Sequence, residues 1–131
     1  MDSSFYNAVL PPDGPYCVVG IKSGVLSHTY HTSIADMVAQ GALLRSRESN
    51  AFFALASFID PADGRKAVNT KALRSFFIDL DCGADKPYAS RDDAAVALKV
   101  FITEAKLPTP YIVNSGRGLH VYWPFYEVLD L

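Results

Sequence analysis

Two aspartates stand where the surrounding residues give them no structural reason to be. Residues 75–81 read Ser-Phe-Phe-Ile-Asp-Leu-Asp, an apolar run of the kind that forms a strand, and aspartate is depleted in strands. Side chains alternate across a strand, so Asp79 and Asp81 share one face while Phe76, Ile78 and Leu80 take the other. Two residues of rise set the carboxylates about 6.6 Å apart. In a partly dry cleft such a pair resists double ionisation unless a cation lies between them. Hard divalent ions such as Mg²⁺ or Mn²⁺ are held in this way, by one or two carboxylates together with substrate phosphates. A plainer reading has one aspartate opening a turn at Cys82–Gly83 and the other pairing with a surface lysine. It suits Asp81 better than Asp79, which lies inside the strand.

A second constellation follows in Ser115-Gly116-Arg117-Gly118-Leu119-His120. Its glycines allow a tight turn and a close approach of backbone to ligand. Free amides, the Ser115 hydroxyl and the Arg117 fork on one loop suit a cluster of anionic oxygens such as a triphosphate. His120 shares its strand face with Gly118 and Tyr122, and Leu119, Val121 and Trp123 point into the core. The same letters also make an ordinary hairpin. Arg65, Lys66, Lys71 and Arg74 precede the acidic strand and either add positive charge for a nucleotide or form a solvated loop. His28-x-x-His31, with Cys17 as the other nearby donor, is a poor zinc site. Tyr111, Tyr122 and Trp123 are candidates for stacking a base, although packing accounts for at least two of them. Phe52, Phe53, Phe76, Phe77 and Phe101 read as core.

The elements that must position these groups alternate in type. Residues 1–15, rich in Ser, Pro, Asp and Gly, read as an opening segment. Residues 16–21 form a strand that ends in a turn at residues 22–24. Ser33 caps a helix with an apolar stripe of Ile34, Met37, Val38 and Ala42. Residues 51–59 are almost continuously apolar, as in a strand buried on both faces. After the strand at 75–81, Ser90 caps a second helix whose stripe is Ala94, Ala97, Leu98, Phe101 and Ala105. Strands at 111–113 and 119–123 flank the glycine-rich turn. This order implies an α+β fold, a mainly antiparallel sheet with helices packed on one face, and a free opposite face for a site.

Length and charge bound the rest. The chain has 131 residues, 50% of them hydrophobic, with 12 Lys and Arg against 14 Asp and Glu for a net charge of −2. That suits a single domain with its own core and excludes a disordered charged tail. It also argues against a surface coated with positive charge for holding nucleic acid. Cys17 and Cys82, the only two cysteines, read as free thiols of a reducing compartment. No signal peptide and no membrane span are expected.

Together, FFIDLDCG (residues 76–83) and PYIVNSGRGLHVYWP (residues 110–124) resemble the catalytic core of the archaeo-eukaryotic primase superfamily. They look most like the primase-polymerase domains of phages and mobile elements. Ile78-Asp79-Leu80-Asp81 matches its hydrophobic-Asp-hydrophobic-Asp motif, and Gly118-Leu119-His120 matches its small-x-His motif. The resemblance implies an RRM-like core over residues 74–124 and an N-terminal module over 16–60. It implies that Asp79 and Asp81 hold catalytic Mg²⁺ or Mn²⁺, with His120 completing the catalytic set. Ser115, Gly116, Arg117, Gly118 and His120 would bind the nucleotide. The activity implied is template-directed nucleotidyl transfer for primer synthesis, with single-stranded DNA and nucleoside triphosphates as partners. A helicase domain or subunit and a bacterial or phage-infected cytoplasm go with it. Members of that superfamily carry a third hydrophobic-Asp motif well beyond the His strand, so the resemblance implies either a fragment of a longer protein or a truncation that does not complete the metal site alone. Residues 128–131 mimic the motif in letters and read as the start of a helix. Two further readings compete: a non-catalytic nucleotide- or single-strand-binding module, and a metal-dependent phosphoesterase.

Overall fold

The computed structural model describes residues 3–131. The fold is α+β, with three α-helices and one six-stranded sheet. In chain order the elements are α1 (Ser3–Val9), β1 (Tyr16–Lys22), β2 (Val25–His31), α2 (Ile34–Ser46) and β3 (Asn50–Phe58). They continue with β4 (Thr70–Asp81), α3 (Arg91–Ala105), β5 (Tyr111–Asn114) and β6 (Gly118–Asp130). The strand order is β2-β1-β3-β4-β6-β5. The pairs β1–β2, β1–β3, β3–β4 and β5–β6 all run antiparallel. The chain forms two compact units: one runs up to Arg74 and includes Tyr126–Leu131, and the other is Ser75–Phe125.

In the first unit, β1 is the strand buried on both faces, with Tyr16, Cys17, Val18 and Val19 all inaccessible. The continuous apolar run at 51–59 suggests that role for β3, yet Phe52 is 51% exposed. Both strands touch α2, and β1 pairs along its length with β2 and β3, whereas β3 pairs with β4 at Ser57 and Phe58, beyond Phe52. Cys17, Val19 and Phe58 form a core with Ile21, Tyr30 and Ala54. Ser33 caps α2 by accepting from the Asp36 amide. Its buried stripe passes through Met37 and Gly41, while Ala42 faces solvent.

Three stretches of this unit depart from expectation. The opening segment contains α1, which buries Phe5 and Val9 four residues apart on one helical face; residues 1 and 2 lie outside the described chain. Strand β2 follows Ser23 and Gly24, both at positive φ, which is the two-residue hairpin geometry that returns the chain along β1. Residues 128–131 do not begin a helix: β6 continues as a strand to Asp130, and the Leu131 amide donates to the Lys71 carbonyl. Branched and apolar side chains at Val128 and Leu129 suit that extended backbone.

In the second unit, α3 lies on one face of the β4–β6–β5 ladder. Ala94 and Leu98 pack with Leu119, Val121 and Trp123, joined by Ile78, Leu80 and Ile102. Trp123 donates its indole N–H to the Pro108 carbonyl at 2.9 Å. Ser90 caps α3 at the Asp93 amide. Of the expected stripe, Ala105 and much of Phe101 face solvent, and Ile102 packs in their place. Phe76 and Phe77 also leave the core that the sequence assigns to them, being 60% and 40% exposed.

Candidate functional site

The site occupies the face of the second unit's sheet turned away from α3. Alternation along β4 sends Ile78 and Leu80 into the helix-side core and therefore presents Phe77, Asp79 and Asp81 on the other side. Alternation along β6 sends Leu119, Val121 and Trp123 into the same core and brings Gly118, His120 and Tyr122 to the face of the aspartates. The contacts bear this out. His120 Nε2 lies 3.5 Å from Asp79 Oδ1, with both side chains partly open to solvent. The His120 ring meets the Phe77 ring edge-on at 5.4 Å, and Phe77 lies 5.0 Å from Tyr122. Asp81 is exposed on the same face of β4.

Gly118 lets these two strands come together. A Cβ at this position would overlap the Leu80 carbonyl oxygen and crowd the Asp81 Cα. The close approach continues into the turn, where the Cys82 amide donates to the Arg117 carbonyl at 2.9 Å. The glycine is therefore needed for strand contact, in addition to any role beside a ligand.

The turn itself is built on Asn114. Its Oδ1 accepts from the Gly116 amide at 2.9 Å and from Arg91 at 3.0 Å, and the Ser115 amide donates to the Gly118 carbonyl at 3.1 Å. Gly116 sits at φ 86°, a conformation that favours glycine. The amides of Ser115 and Gly116 are thus used inside the hairpin, whereas the sequence reading has them open to an anion. The Ser115 and Arg117 side chains are exposed and remain the loop's polar groups for a ligand.

Neither Asn114 nor Arg91 stands out by composition, although an Asn two residues before a Gly at a turn signals this side-chain-to-backbone bond. Phe77 was legible too: it shares parity with Asp79, and parity outweighs hydrophobicity on a one-sided sheet.

Among the described residues, no three His, Cys, Asp or Glu side chains converge as a closed metal site requires. Two carboxylates on one open face fit a hard, partly hydrated Mg²⁺ or Mn²⁺ that completes its shell with water and phosphate oxygens. They do not fit an all-protein cage. His31 shares a 2.9 Å hydrogen bond with the Thr29 hydroxyl, so the His28-x-x-His31 pair is partly used locally. Lys71 and Arg74 donate to the carbonyls of Gly14 and Asn7 within the first unit. Cys17 and Cys82 are both free thiols. Burial pushes the Cys17 thiol up, against weaker opposing pulls from Tyr30 and Arg65. Among the described residues no helix is long and apolar enough to cross a membrane.

No protein-family model matches the chain, and no solved structure matches it. A curated protein named "Replication protein", from Clostridium perfringens, is 31% identical over 77 residues, which make up 58% of this chain and 18% of that protein. The chain thus corresponds to less than a fifth of that relative's length.

Proposed function

We propose that this chain is the nucleotidyl-transfer domain of a DNA primase-polymerase that makes primers in replication. The shared face carries the reading: Asp79 and Asp81 on β4, His120 3.5 Å from Asp79, and the Ser115–Gly118 turn continuing the same strand. Similarity to a protein of replication supports the biological setting.

In this reading Asp79 and Asp81 would hold the divalent ions, and the chemistry such ions would supply is activation of an attacking 3′-hydroxyl and neutralisation of charge on the α-phosphate. The Arg117 guanidinium and the Ser115 hydroxyl bind phosphate oxygens. His120 donates to a phosphate while its partner Asp79 holds the ring in place. The hydroxyl oxygen bonds to the α-phosphorus and gives up its proton to solvent water as the bond to the leaving pyrophosphate breaks. Single-stranded DNA is the template and nucleoside triphosphates are the substrates, with a helicase domain or subunit as the working partner. Primer synthesis on single-stranded DNA with Mn²⁺ or Mg²⁺ tests this. Product lost on changing Asp79→Ala together with Asp81→Ala supports the reading, and product that survives the double change ends it.

A second reading is a nucleotide- or single-strand-binding module without turnover. It is favoured by hairpin amides engaged internally. It predicts nucleotide binding that weakens in Arg117→Ala and His120→Ala, and no product with either metal.

A further inference from the structure

The open face of the second unit is arranged in rows across its strands. One row holds Asp81 beside Gly118 and leads into the turn. The next holds Asp79 and His120, with Val113 of β5 paired to His120. The third is aromatic: Phe77, then Tyr122 at 5.0 Å, then Tyr111 of β5 paired to Tyr122.

Phe77 is the anomaly in that row. The core beside α3 is already filled from β4 by Ile78 and Leu80, so Phe77 contributes nothing to it. It keeps 40% of its surface in solvent, as Tyr111 keeps 46%. The ring is nonetheless held, by His120 edge-on at 5.4 Å and by Tyr122 on another side. A fixed, half-exposed ring offers a π-face to a flat partner at little entropic cost.

Its place relative to the carboxylates decides what that partner is. Two strand residues, about 6.6 Å, separate the Asp79–His120 row from the Phe77–Tyr122 row. A ribose spans such a step. A nucleotide with its phosphates at the turn and over Asp79 and His120 therefore brings its base over Phe77.

We infer that Phe77, backed by Tyr122 and flanked by Tyr111, is the base-stacking surface of the nucleoside triphosphate site. The inference rests on the nucleotide-binding reading above and adds where the base lies. It also adds that recognition there is through the π-face, and so tolerates any base.

Calorimetric titration of the full chain in Mg²⁺ with two probes, dATP and inorganic tripolyphosphate, separates the possibilities. Both probes are expected to bind, dATP more tightly. Phe77→Ala should weaken dATP about tenfold or more and leave tripolyphosphate within about twofold, while Phe77→Trp keeps dATP affinity. Arg117→Ala should weaken both probes. Unchanged dATP affinity in Phe77→Ala, with both probes weakened in Arg117→Ala, overturns the inference and leaves the phosphate site standing. Equal weakening of both probes in Phe77→Ala shows that the ring acts through His120 and also overturns it. If neither probe binds the unaltered chain, the nucleotide reading itself fails and the inference fails with it.

Discussion

The carbonyl oxygen of Leu80 occupies the space that a side chain at Gly118 would need. The strand bearing the two aspartates and the strand bearing His120 meet at this point, so the glycine sets how closely the acidic and imidazole groups approach. Gly118→Ala is expected to destabilise the protein by about 1–3 kcal/mol, as overpacking against backbone does. Gly116→Ala meets open space but keeps a positive φ, and should cost about 1–2 kcal/mol through that conformation alone. Urea denaturation measures both, and only the Gly118 change should also alter metal binding.

Asn114 fixes the turn through one oxygen with two donors, the Gly116 amide and Arg91. Asn114→Ala should cost about 1 kcal/mol, the net worth of such a bond. Faster hydrogen exchange at Gly116, with little change in the α3 core, is the expected signature. Nucleotide affinity should fall with it.

Asp79 carries an exposed carboxylate whose contact is His120. Asp79→Asn should leave the melting temperature nearly unchanged and weaken Mn²⁺ binding by at least about tenfold, the lower bound for losing even an outer-shell partner. Electron paramagnetic resonance of free Mn²⁺ reads this directly. Affinity that survives the change would place the ion elsewhere.

Tyr16 is fully buried and donates its hydroxyl to the Pro11 carbonyl at 2.8 Å. Burial, with a smaller push from the Asp13 charge, raises its pKa above the ordinary phenol value. The folded state therefore favours the protonated phenol, a contribution fully present below about pH 10, the unfolded value. It is lost as pH rises through the higher folded value. Stability should hold to about pH 10 and then decline. Tyr16→Phe should flatten that alkaline limb while losing the bond to Pro11.

Local rules carried the sequence reading furthest where they act alone. Ser33 and Ser90 cap their helices as the Ser-x-x-Asp spacing indicates, and strand alternation puts Asp79 and His120 on one face. Tertiary context decides the rest. The apolar run of β3 does not show which of its residues gain a second strand partner, and Phe52 is half exposed. A helix of seven residues in a Ser- and Pro-rich segment carries too little periodicity to register, although Phe5 and Val9 hold α1 in place. Strand β2 presents polar and half-exposed residues, and only the positive φ at Ser23 and Gly24 reveals the hairpin that makes it. At the site, residue types located the carboxylates, but which turn amides remain open depends on Asn114, a partner visible only in three dimensions.

Trp123 is the chain's single tryptophan, and it is enclosed by the α3 core of the unit that bears the aspartates. Its indole emission is therefore a native optical label for that unit alone. Tyrosine absorbance, from tyrosines in both units, reports on the two together. Unfolding curves followed at the two wavelengths will coincide if the units melt as one cooperative body and separate if they do not, with no dye or engineered residue introduced.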